Sequence, residues 1–108
     1  MSSLAPTAAD VSHDVDNSEF RVECNGAVAK LEYIPKTFGG KEIWDMVHTY
    51  VPAECRGKGV GGVLCVAAFE AAKKESVKVI PTCSYVKDTF LKQNPQYAAL
   101  VYSRDNKL

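Results

Sequence analysis

A chain of 108 residues, 46% hydrophobic and 24% charged, is long enough to bury one modest core and too short for a second lobe. Its 13 basic and 13 acidic residues cancel to a formal net charge of zero. That balance excludes general nucleic-acid binding through a broad basic surface and leaves room only for a local basic patch.

No apolar run reaches the roughly 18 residues that span a membrane. The N-terminus lacks the charged-then-apolar order of a secretory signal. The four cysteines, Cys24, Cys55, Cys65 and Cys83, form no C-x-x-C pair, and His13 and His48 do not complete a zinc pattern. Reduced thiols in a cytoplasmic protein, with no metal, are therefore expected.

In chain order, residues 1–18 are rich in Ser, Ala and Asp with no apolar period, which predicts a flexible tail ahead of a single domain over 19–108. From Glu19, Phe20 and Val22 alternate with Arg21 and Glu23 as in a strand covered on one face. Asn25-Gly26 then marks a two-residue hairpin turn. A second strand runs from Ala27 to Ile34, stopped by Pro35, and Gly39-Gly40 makes another turn.

The third strand, about Glu42 to Val51, alternates Trp44, Met46, His48 and Tyr50 with Ile43, Asp45, Val47 and Thr49. Both sets are partly apolar, so the strand is expected to be central and covered on both sides. Val60, Val63, Leu64, Ala67, Ala68, Ala71 and Ala72 then trace one stripe of a helix starting near Gly59, widened by Cys65 and Phe69. Val77 to Ile80 gives a fourth strand, parallel to the third because a helix connects them. A short helix over Val86–Gln93 ends at Asn94-Pro95, and Tyr97–Tyr102 is a last strand or a docked tail. The fold class is α+β, a mixed sheet in which an antiparallel three-strand meander precedes a strand–helix–strand crossover and a short C-terminal helix.

Between the third strand and the long helix lies Arg56-Gly57-Lys58-Gly59-Val60-Gly61-Gly62. Open backbone, two cations and a helix N-terminus in one place suit a phosphorylated ligand. Gly57, Gly59 and Gly62 fit the spacing of a dinucleotide fingerprint, but no acidic residue closes the second strand, which runs into Ile80-Pro81-Thr82-Cys83. A nucleotide P-loop needs Gly-Lys-Ser/Thr, and Lys58 is followed by Gly59. The helix end supplies at most about 2 kcal/mol, whereas micromolar binding needs about 8 kcal/mol. The turn is therefore only part of a site.

The same six residues, Arg56 to Gly61, resemble the R/Q-x-x-G-x-G/A pyrophosphate turn of the GNAT superfamily of acyl-CoA N-acyltransferases. His48-Thr49-Tyr50-Val51-Pro52, Val79 through Val86 and Asn94-Pro95-Gln96-Tyr97 extend the likeness to a branch of very small single-domain bacterial and plant members, over roughly Phe20 to Val101. The resemblance implies a GNAT-like fold, with acetyl-CoA or coenzyme A as co-substrate and an unidentified amine as acceptor. It places the diphosphate on Arg56, Gly57, Lys58, Gly59, Val60, Gly61 and Gly62. The pantetheine arm falls on the backbone of Tyr50 and Val51, with Asn94 as a side-chain contact.

It also implies Cys83 as the catalytic residue, carrying the acyl group or acting as an acid or base near the leaving thiolate. A cation or the helix end near Val86 would have to lower its pKa. A small packing role is the other reading of Cys83, and packing is the expectation for Cys24 and Cys65. Cys55 beside the turn is incidental. His48 is a candidate base for the acceptor amine, or a structural histidine. Many superfamily members use a glutamate on this strand, and none lies between Ile43 and Val51.

Superfamily members commonly have N-terminal helices beside the acceptor cleft, which this chain lacks. Its acceptor side is then open or completed by a partner chain, a homodimer included. The C-terminal Asn106-Lys107-Leu108 differs at one position from a Ser-Lys-Leu peroxisomal address, which makes the peroxisome the alternative to the cytoplasm. The function that follows is acetyl-CoA-dependent N-acetyl transfer, with a non-catalytic acyl-CoA-binding module docked on a protein partner as the alternative.

Overall fold

The computed structural model describes residues 5–103. Five strands form one mixed sheet in sequence order: β1 (Ser12–Asp14), β2 (Glu19–Cys24), β3 (Ala27–Phe38), β4 (Lys41–Tyr50) and β5 (Lys78–Pro81). The first four are antiparallel neighbours, and β5 runs parallel to β4. Helix α1 (Val60–Lys74) makes the β4–β5 crossover. A π-helical segment, Tyr85–Phe90, leads directly into the helical turn α2 (Leu91–Gln93). The α+β class and the meander-then-crossover order are as the sequence implies.

Both hairpins follow from their turn residues. Asn25 and Gly26 have φ of 51° and 80°, and Gly39 and Gly40 have 59° and 79°, the left-handed pair that matches strand twist in a two-residue turn. Cys24 then pairs with Ala27, and Phe38 with Lys41.

Three expectations need correction. Pro35 does not end β3, because it pairs with Trp44 and the strand continues to Phe38. The Tyr33 amide points toward β2's side, to the carbonyl of Ser18 at 3.0 Å. Two residues on, the Pro35 nitrogen points the same way, past the end of β2, where no ladder donor is needed.

Residues 12–14 are not part of a structureless tail. Ser12, His13 and Asp14 pair with Arg21, Phe20 and Glu19. The His13 ring stacks on Phe20 at 4.1 Å, and its Nε2 bonds Tyr33 Oη at 2.6 Å. The thiols are not all free either. Cys24 and Cys55 form a disulfide, and Asn25 Nδ2 donates to the Glu54 carbonyl at 3.0 Å beside it. The terminal tripeptide read as a near-match to an address lies outside the described residues.

The core lies between α1 and one sheet face. An isolated 15-residue helix is marginal in water, so packing holds α1 in place. Its buried stripe is Val60, Gly61, Leu64, Cys65, Ala68, Phe69 and Ala72. Cys65 and Phe69 thus sit within the stripe rather than at its margin, and Val63 and Ala67 are only half-buried. Against it pack Phe20, Val22, Ala29, Leu31, Met46 and Val79. Full burial of a residue such as Leu64 or Phe69 contributes about 2–3 kcal/mol. Phe69, Phe90 and Tyr97 pack pairwise with ring centroids 5.4–5.6 Å apart and dock the C-terminal segment. That segment is a 3₁₀ turn, Pro95–Leu100, followed by Val101 bridged to Val79.

Candidate active site

The site begins at an irregularity in β4. Glu32 pairs with His48 but Tyr33 pairs with Met46, so Val47 is an extra residue on β4, a β-bulge. Below the bulge Trp44 and Met46 face α1. Above it the parity reverses, and Thr49, opposite Leu31, faces α1 instead. Strict alternation had placed Trp44, Met46, His48 and Tyr50 together, and the bulge separates the last two from the first. His48 and Tyr50 are exposed, opposite Glu32 and Lys30 on the other face.

At the same point β4 and β5 part. Their pairing ends at Met46–Pro81, and the Cys83 amide closes it with a 2.8 Å bond to the Met46 carbonyl. From Val47 onward the β5-side edge of β4 has no strand partner among the described residues. Asp45, on the outer face, holds this junction from behind. Its carboxylate accepts a 2.8 Å bond from Lys36 Nζ and a short bond from the Thr82 hydroxyl.

Cys83 sits in the fork, half-buried, with its Sγ 3.5 Å from Thr49 Oγ1. Partial burial pushes its thiol pKa up. Hydrogen bonds from the Thr49 hydroxyl, from the Val86 and Tyr85 amides and from the Thr49 amide outweigh that, and the net pKa lies below the ordinary value. The structure thus brings Cys83 to the start of the second helical segment and to Thr49, and it does not bring His48 to Cys83. Cys65 is fully buried, and burial, with a smaller contribution from Cys83, pushes its thiol far up.

Tyr85 links this fork to the glycine turn. A Cβ on Gly61 would lie 3.0 Å from the Tyr85 ring and hydroxyl, so the absence of a side chain there is a packing requirement. Burial, then the nearby Cys65 and Cys83, raise the Tyr85 pKa.

In the turn itself, Gly57 and Gly59 have φ of 80° and 70°, with open space where a Cβ would be. Gly59 caps α1 with no side-chain hydrogen bond, which leaves the first-turn amides to a ligand. Arg56 Nε donates to the Val51 carbonyl at 3.2 Å and holds the exposed guanidinium beside the turn. Val51 is half-buried, and that carbonyl is therefore shared with Arg56. A cleft of about 450 Å³ adjoins the turn, lined by Gly59, Gly62, Val63 and Val66 of α1 and by Phe90 and Asn94. Asn94 Nδ2 donates to the Phe90 carbonyl at 2.9 Å, which fixes the side chain at the cleft. Open amides, two cations and an adjoining apolar groove fit the diphosphate and arm of a coenzyme A thioester.

The helix end near Val86 was anticipated beside Cys83, whereas Thr49 and the bulge went unassigned in the sequence. No spacing signal marks a bulge inside an otherwise regular strand.

A parallel pair that splays at a bulge beside a glycine-capped helix is the arrangement of a GNAT-like fold, and the chain belongs to the GCN5-related N-acetyl-transferase family, whose model matches residues 17–100. It is 37% identical over 89 residues to mouse Protein NATD1, covering 79% of this chain and 76% of that one. Human Protein NATD1 is also 37% identical, with 79% and 74% covered. The zebrafish protein is 35% identical, with 79% and 76% covered. These relatives are animal proteins, so the expected tie to a bacterial and plant branch is not borne out.

Proposed function

We propose that the chain is an acetyl-CoA-dependent N-acetyltransferase that carries the acetyl group on Cys83 on its way to an amine. The observation that carries this reading is the position of Cys83: at the mouth of the β4–β5 fork, with Thr49 and the Tyr85 and Val86 amides favouring its thiolate.

The diphosphate rests on the amides of residues 57–62 with Arg56 and Lys58, and the arm runs past Asn94 to the unpaired edge of β4. The Cys83 thiolate attacks the thioester carbonyl and forms a new C–S bond. The bond to the coenzyme sulfur breaks, and coenzyme A leaves as a thiolate that takes a solvent proton. An acceptor amine then attacks the Cys83 thioester, the enzyme thiolate departs, and the amine loses its extra proton to solvent. His48 has no part in these steps.

The test is release of coenzyme A across a panel of amines, compared between the parent chain and Cys83→Ala. Amine-dependent release that Cys83→Ala abolishes is the expected result. Equal release by both proteins removes the covalent step. Coenzyme binding without release from any amine leaves an acyl-CoA-binding module.

A further inference from the structure

The cleft beside the glycine turn has a second wall that comes from the N-terminus. Pro6, Thr7 and Ala8 line it together with Gly59, Gly62 and Asn94. This segment is fastened by its own sequence. Asp10 Oδ2 accepts from the Thr7 amide at 2.8 Å and from the Thr7 hydroxyl at 3.3 Å. The Asp10 and Val11 amides bond the Thr7 and Ala8 carbonyls in a short 3₁₀ turn, Ala8–Asp10. Val11 packs against the core, and β1 then ties the chain to the sheet. Pro6 and Ala8 are half-buried.

The fastening holds small, apolar side chains against the outer side of α1, across from Phe90 and Asn94. The cleft is thus apolar along its length and rich in amide donors at one end. A ligand with a multiply charged anionic group and an extended body has that polarity.

We propose that residues 6–8 form a wall of the coenzyme site, so that the N-terminal segment sets affinity for coenzyme A. This rests on the coenzyme reading above. The wall lies outside residues 17–100, which match the family model.

Charge placed in the wall tests it. In about 0.15 M salt the screening length is about 8 Å, so only a nearby anion responds to a new charge. Calorimetric titration with desulfo-coenzyme A, which has no thiol to exchange, would compare the parent chain with Ala8→Glu and Ala8→Lys. The expected result is at least fivefold weaker binding for Ala8→Glu and equal or tighter binding for Ala8→Lys. Deletion of residues 1–10 should also weaken binding at least fivefold. If the parent binds and both charge variants bind like it, or both weaken alike, the wall is overturned while the coenzyme reading stands. Tighter binding by the deletion variant overturns it too. If the parent does not bind, the coenzyme reading falls and takes the wall with it.

Discussion

Thr49 and Cys83 meet at 3.5 Å because β4 carries one residue more than β3 at Val47. Without the bulge Thr49 would face the other side of the sheet and His48 would take its place toward α1. The Thr49 hydroxyl is among the groups holding the Cys83 thiol below its ordinary pKa. Thr49→Val keeps the shape and removes the hydroxyl. The pH profile of Cys83 alkylation should move to higher pH in this variant, and Thr49→Ser should restore it. An unmoved profile would show that the amides act alone.

Gly61 and Tyr85 form a packed pair, since a Cβ on Gly61 would press on the ring at 3.0 Å. Overpacking of this kind costs about 1–3 kcal/mol. Gly61→Ala should lower stability to urea by that amount, and the loss should shrink in a Tyr85→Ala background. Gly57→Ala differs in origin. The site is open, but its φ of 80° strains an L-residue by about 1–2 kcal/mol. No second-site change at Tyr85 should relieve it.

His13 gives the N-terminal strand a pH dependence. Burial lowers its pKa from 6.5, partly opposed by the charges of Glu75 and Asp14. Protonation therefore favours the unfolded chain. Stability linked to His13 is complete above about 6.5 and is lost as the pH falls through the lower folded value. Thermal unfolding from pH 7.5 to 5 should show this loss, and His13→Phe, which can keep the stack on Phe20, should reduce the slope.

The Cys24–Cys55 disulfide closes a loop with a sequence separation of 31 and anchors the β2–β3 turn beside Arg56. Bridges of this span contribute about 2–4 kcal/mol. Thiol titration of the denatured, unreduced protein should find two free cysteines, Cys65 and Cys83. Prior reduction should raise the count to four and lower stability by the amount given. Four thiols without reduction would remove the bridge from the account.

The elements that announce themselves locally were legible in the sequence. Asn25-Gly26 and Gly39-Gly40 demand left-handed backbone, so both turns of the meander followed. The stripe from Val60 to Ala72 fixed the helix and its alanine-rich contact with the sheet. The glycine turn stands out by composition between a strand and a helix, whereas Cys83 was singled out by the resemblance to the GNAT superfamily. What escaped was decided at a distance. The bulge at Val47 has no local signature, and it reversed the face of His48 and Tyr50. Pro35 is compatible with β3 only because β2 stops short, which a single strand's sequence does not reveal. Ser12–Asp14 is three residues long and mostly polar, and its order comes from the contact of His13 with Phe20 and Tyr33. Cys24 and Cys55 are brought to a Cα separation of 5.7 Å only by the fold.

The central claim is that Cys83 becomes an acetyl thioester. The direct measurement is peptide mass spectrometry of the chain after brief exposure to acetyl-CoA without an amine, with and without hydroxylamine. One acetyl group on Cys83, removed by hydroxylamine and absent in Cys83→Ala, is the predicted result. Bound coenzyme with Cys83 unmodified, in a protein that still acetylates an amine, would contradict it.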